Sequence, residues 1–66
     1  MEEIIKELKA LREAKGLSIS EVSRRMGTNF SRISEIENGR GGLTLKRLIA
    51  WADALGLKVN IKFEEK

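Results

Sequence analysis

Residues 17–39, LSISEVSRRMGTNFSRISEIENG, constrain the fold of this chain more than any other stretch. Ile19, Val22 and Met26 recur at helical spacing and stop at Gly27; Ile33 and Ile36 resume the pattern after Asn29. Ser18 stands just before the first segment and Asn29 at the start of the second. At such positions a short polar side chain accepts from the free N–H groups of a first helical turn. Gly27 supplies the left-handed backbone that a tight turn needs. The stretch predicts two short helices, about 18–26 and about 29–38, joined by a turn.

The flanks predict two more helices. Ile4, Ile5, Leu8, Leu11 and Ala14 share one face of a helix over 2–15, with Glu2 and Glu3 favouring its N-terminus and Gly16 ending it. Residues 39–43, GRGGL, oppose regular structure and predict a loop. Thr44 caps a helix over 45–55 that turns Leu45, Leu48, Ile49, Ala52 and Leu55 inward, and Gly56 closes it. Trp51 lies on or near this apolar stripe, as core or as dimer interface.

From Leu57 onward the period changes to two. Leu57, Val59, Ile61 and Phe63 alternate with Lys58, Asn60 and Lys62, the pattern of a half-buried strand. No other segment reads as a strand, and a lone strand leaves its N–H and C=O groups unpaired. Either the tail frays, or it pairs antiparallel with the same strand of a second copy across a two-fold axis. Pairing makes Trp51, Leu57, Val59, Ile61 and Phe63 the candidate dimerisation residues. The expected fold is mainly α: a compact four-helix bundle over residues 1–56, then a dimerising C-terminal strand over 57–66.

Composition narrows function by exclusion. Sixty-six residues make one domain with a small core, because a chain of this size buries only about 60% of its unfolded surface. There is no Cys, His or Tyr, so no disulfide, no thiolate or imidazole metal ligand and no histidine base. The scattered carboxylates and serines form no nucleophile–base or metal constellation, so neither an enzyme nor a cofactor is expected. No apolar run approaches the roughly 20 residues of a membrane span and no signal peptide is visible, so a cytoplasmic location is expected. The net charge of +3 is unevenly spread. Residues 24–47 carry Arg24, Arg25, Arg32, Arg40, Lys46 and Arg47 against only Glu35 and Glu37, while both flanks are near neutral. That is either a solvated charged face or the footprint of a polyanion binder.

Two helices joined by a tight turn project the second helix from a compact body, a shape that enters the DNA major groove. With Ile33 and Ile36 inward, Ser31 and Glu35 point directly away, Ser34 and Asn38 flank them on one side, and Arg32 flanks them on the other. Candidate base-reading residues are therefore Phe30, Ser31, Arg32, Ser34 and Glu35. Ser31 suits any base, whereas Arg32 suits guanine or a phosphate. Glu35 accepts from cytosine N4 or pairs locally with Arg32, and Phe30 packs on a thymine methyl or caps the core. Asn29 serves as a cap that also meets phosphate. Ser18 and Ser20 sit at a helix N-terminus whose N–H groups suit another phosphate.

The residues that carry these features resemble the phage-repressor and Cro type of helix-turn-helix domain, the XRE family. LREAKGLS (Leu11 to Ser18), the Gly27 turn, RISEIENG (Arg32 to Gly39) and LTLKRLIAWADALG (Leu43 to Gly56) carry the likeness, which runs from Leu8 to Leu57. The resemblance implies a lambda-repressor-like bundle, dimeric on DNA, with a structural ion pair between Arg12 and Glu37 and phosphate contacts from Asn38 and Arg40. It implies a transcriptional repressor on a palindromic operator. Ile19 and Phe30 stand where the family commonly has polar residues, and Gly42-Leu43 where it often has Asn-Pro. The tail, ALGLKVNIKFEEK, is similar to the end of HigA- and HipB-type antitoxins, which adds a toxin to the expected partners of DNA and a second copy. The alternatives are a phage-type or free-standing repressor, or a protein-interaction adaptor with only nonspecific DNA affinity.

Overall fold

Three of the four helices begin at a side-chain cap. In the computed structural model, which describes residues 2–66, α1 spans Glu2–Ala14, α2 Ile19–Met26, α3 Phe30–Glu37 and α4 Leu45–Ala54. Ser18, Asn29 and Thr44 precede α2, α3 and α4 with extended backbone, and each side chain accepts from the N–H three residues on. The cap of α2 is reciprocal. Glu21 N–H donates to Ser18 Oγ at 3.1 Å, and Ser18 N–H donates to Glu21 Oε1 at 3.3 Å. Because a cap residue lies outside its helix, the observed helices are shorter than the expected 18–26 and 29–38.

The ends of α2 and α3 are built alike. Gly27 and Gly39 are left-handed, at φ of 73° and 80°. The residue after each reaches back to the last turn: Thr28 N–H donates to Ser23 O at 2.9 Å, and Arg40 N–H donates to Glu35 O at 2.7 Å. At Gly27 this stop, followed at once by the Asn29 cap, redirects the chain within three residues and sets α3 across α2.

Both helices are held from behind by one core. Val22, Ile33, Ile36 and Trp51 have no exposed surface, and Leu8 and Leu55 have almost none. Burying each large aliphatic side chain stabilises the fold by about 1.5–3 kcal/mol. α3 packs on α2 and α1, and α4 packs on α2.

Four expectations need correction. Trp51 is not a dimerisation residue, because it is wholly enclosed within the single chain. Leu45 and Ile49 are half exposed rather than inward. The apolar arc of α4 is wider than the body that covers it, and the tail lies alongside both residues. Ile4 and Ala14 lie outside the buried arc of α1, whose buried residues are Leu8 and Arg12. Finally, the strand expected over 57–66 is not formed, and the described residues contain no strand. Leu57 packs on the core, but Ile61 and Phe63 are 55% and 95% exposed. A ladder needs a second strand, and alternation along one segment cannot supply it.

Candidate nucleic-acid interface

With Ile33 and Ile36 locked in the core, the rest of α3 has one outward face. Ser31, Arg32 and Glu35 are exposed on it, and Ser34 is half-buried at its edge. Phe30 opens the helix 51% exposed and outside the core cluster, so it does not cap the core. The local Arg32–Glu35 pair is not formed: among the described residues the salt bridge is Arg12–Glu37. Glu35 therefore presents an unpaired carboxylate on the outward face.

The residues around this face are fixed by local bonds. Asn29 Oδ1 accepts from Arg32 N–H at 2.8 Å. Asn38 turns back on its own helix, its Nδ2 donating to Ser34 O at 2.8 Å. Arg40 is exposed in the loop that follows. At α2, Ser18 is occupied by its cap, and the Glu21 carboxylate lies beside it. An anion approaching that helix end meets a negative group, which leaves exposed Ser20 as the freer of the two serines. Lys46 and Arg47, at the start of α4, come beside Thr28 and Thr44 around a shallow cavity of about 300 Å³ next to the Gly27 turn. Lys46 and Arg47 thus stand beside the turn that precedes α3, and Arg40 follows its end.

Two cations serve the body instead. Arg12 Nε donates to Glu37 Oε2 at 2.8 Å and Arg12 Nη2 to Glu37 Oε1 at 3.0 Å, while Nη1 donates to Leu17 O at 2.8 Å. One guanidinium thereby joins α1, the entry to α2 and the last residue of α3. The two side chains are 10% and 2% exposed. Hydrogen bonding to Glu37 raises the Arg12 pKa above its ordinary value against the opposing effect of burial, and the Coulombic attraction of Glu37 adds to the rise. Arg25 Nη1 donates to Ala54 O at 3.0 Å, where a cation meets the carbonyl-rich end of α4. Spacing gave no sign of this second contact, since Arg25 and Ala54 are far apart in the chain.

Among the described residues no group of acidic side chains is arranged to hold a metal. No helix of the structure is long and apolar enough to cross a membrane.

A capped helix, a three-residue turn and a second helix with a polar outer face define a helix-turn-helix domain. A helix-turn-helix family model matches residues 8–61, most of the chain, so this protein belongs to that family of DNA-binding transcriptional regulators. Comparison with curated proteins and with solved structures gives no match.

Proposed function

We propose that the chain is a repressor that binds a near-palindromic operator as a homodimer, with α3 of each copy in the major groove. The observation that carries this reading is the outward face of α3, where Ser31, Arg32 and Glu35 are exposed side by side on a helix whose other face is locked in the core. A two-fold dimer presents two such helices about 34 Å apart, one turn of DNA, so half-sites are centred about ten base pairs apart or a small multiple of that. Repression follows when the operator overlaps a promoter and excludes the polymerase. The tail's likeness in sequence to HigA- and HipB-type antitoxins favours a regulator that also binds a toxin protein. In that form it represses its own operon together with a toxin.

Fluorescence anisotropy tests the reading. Protein is titrated onto the DNA upstream of its own gene and onto a scrambled control, at low and moderate salt. Preference for the upstream DNA that survives moderate salt is the expected result. Equal, weak binding to both that collapses with salt leaves only phosphate attraction and favours an adaptor.

Three variants assign roles on α3 and at its C-terminal cap. Arg32→Ala is expected to weaken operator binding by roughly ten- to a hundredfold, in keeping with the loss of about 1–3 kcal/mol for a bidentate base contact. If Arg32 lies on a phosphate instead, all sequences lose affinity alike and the salt dependence of log K falls by about one unit. Asn38→Ala is expected to weaken binding in the same assay without disturbing the dimer. Glu35→Gln is expected to raise affinity for scrambled DNA and narrow the preference for the operator, because it removes an acid that repels phosphate and accepts from cytosine. A preference unchanged by Glu35→Gln, measured by competition between the two DNAs, removes Glu35 from base reading.

A further inference from the structure

We infer that two copies of this chain pair their tails antiparallel in one register, with Ile61 on the two-fold axis; the inference rests on the homodimer reading above. The tail is built to be completed from outside. Among the described residues, Leu57 N–H donates to Ala52 O at 2.8 Å, and residues 58–66 make no backbone hydrogen bond. Leu57 also packs on the core, so a ladder can begin only at Lys58. Ile61 and Phe63 stand 55% and 95% exposed.

The register follows from the rule that residues directly opposite each other share a face of the ribbon. Apolar residues must then oppose apolar ones, which places the two-fold axis on a residue and not between two. An axis at Val59 leaves only residues 58–60 to pair, because every further opposite falls before Lys58. An axis at Asn60 sets Lys58 against Lys62 twice. An axis at Lys62 sets that lysine against itself and Val59 against Glu65, and an axis at Phe63 sets Ile61 against Glu65. The axis at Ile61 alone avoids all of these. It pairs Lys58 with Glu64 in both halves, Asn60 with Lys62, Val59 with Phe63, and Ile61 with itself. Like charges directly opposite are destabilising and opposite charges stabilising, so charge complementarity selects this register.

The same register provides a place for Phe63. Its opposite number, Val59, lines two open apolar grooves of about 600 and 400 Å³. Leu8 and Leu48 lie in the first, Ile49 in the second and Leu45 in both. The partner's ring is therefore laid over the side of α4 that the single chain leaves uncovered.

The chain has no cysteine, so introduced thiols are unambiguous reporters. Asn60→Cys, Ile61→Cys and Lys62→Cys are made singly at these exposed positions, left in air, and followed by non-reducing electrophoresis beside sedimentation velocity. Ile61→Cys is expected to cross-link at least about tenfold faster, since direct opposites lie about 4.5–5.5 Å apart at Cβ and diagonal neighbours about 7–8 Å. In parallel, Lys58→Glu is expected to raise the dimer dissociation constant about tenfold and Lys58→Glu/Glu64→Lys to restore it, because each exchange acts on two symmetric pairs. Faster cross-linking at position 60 or 62 in a protein that sediments as a dimer overturns the register and leaves the homodimer standing. Failure of Glu64→Lys to rescue Lys58→Glu does the same. A unit-mass species at every concentration overturns the homodimer and the register together.

Discussion

Replacing Arg12 by alanine is expected to lower the free energy of unfolding by about 3–5 kcal/mol. The variant leaves Glu37, 2% exposed, as a buried carboxylate without its cation, and removes the donor that holds Leu17 O. Breaking one side of a buried pair costs about 3–5 kcal/mol. A domain of 66 residues has a total stability of about 3–10 kcal/mol, so this loss removes about a third of it or more. Denaturant unfolding followed by the emission of Trp51, the one tryptophan and wholly buried, measures this directly. The double variant Arg12→Met/Glu37→Leu is expected to regain most of the loss, because an apolar pair of similar volume needs no desolvated charge. A loss under about 1 kcal/mol for Arg12→Ala would mean that the pair behaves as a solvated surface bridge. The pH dependence has a definite sign. The Arg12 pKa is raised in the folded state, so its stabilisation is fully present below the ordinary arginine range and is lost only as pH rises above it. Across the neutral range the pair makes no pH-sensitive contribution through Arg12.

Deleting residues 58–66 is expected to lower operator affinity by about 10²–10⁴-fold while leaving the domain folded. The core cluster and its flanking residues end at Leu57, so the four helices keep their packing. What disappears is the coupling of two half-sites, since a second binding event made intramolecular is worth about that factor. The deletion also makes thermal stability independent of protein concentration, because stabilisation by dimerisation follows mass action. Sedimentation velocity and anisotropy on the same samples check both outcomes. A truncated chain that sediments like the full one would show that association, if any, lies elsewhere.

The helical body was readable from residue spacing for local reasons. Ser18, Asn29 and Thr44 cap helices through their own chain neighbours, and Gly27 and Gly39 stop helices through bonds spanning five residues. Such contacts are written in short motifs. The partnership of Arg12 with Glu37 was legible only through family likeness, and Arg25 with Ala54 not at all, because packing and not spacing brings them together. The apolar stripe of α4 was recognised, but how much of it the body covers was not. Leu45 and Ile49 satisfy the helical period and still face out. Trp51 lies on or near the same stripe, which left core and interface both open, and the single chain encloses it. On α3 the period separated Ile33 and Ile36 from the outward residues, yet it left open whether Glu35 is free. Only the geometry shows it in no ion pair among the described residues. The tail's alternation was plain in the sequence, while a ladder is a property of two segments, of which this chain has one.

Ser31, Arg32 and Glu35 use no side-chain atom in a hydrogen bond among the described residues and hold no place in the core. In the proposed reading, substitutions there alter what is read on DNA and leave folding nearly untouched, as surface changes away from special features usually do. Targeting and stability are thus separately heritable in this molecule. A lineage can drift from one operator to another a single residue at a time, each intermediate remaining a folded protein. The far end of the same helix has no such freedom. Glu37 is tied to Arg12 through two hydrogen bonds, so a change at either residue calls for a matching change at the other.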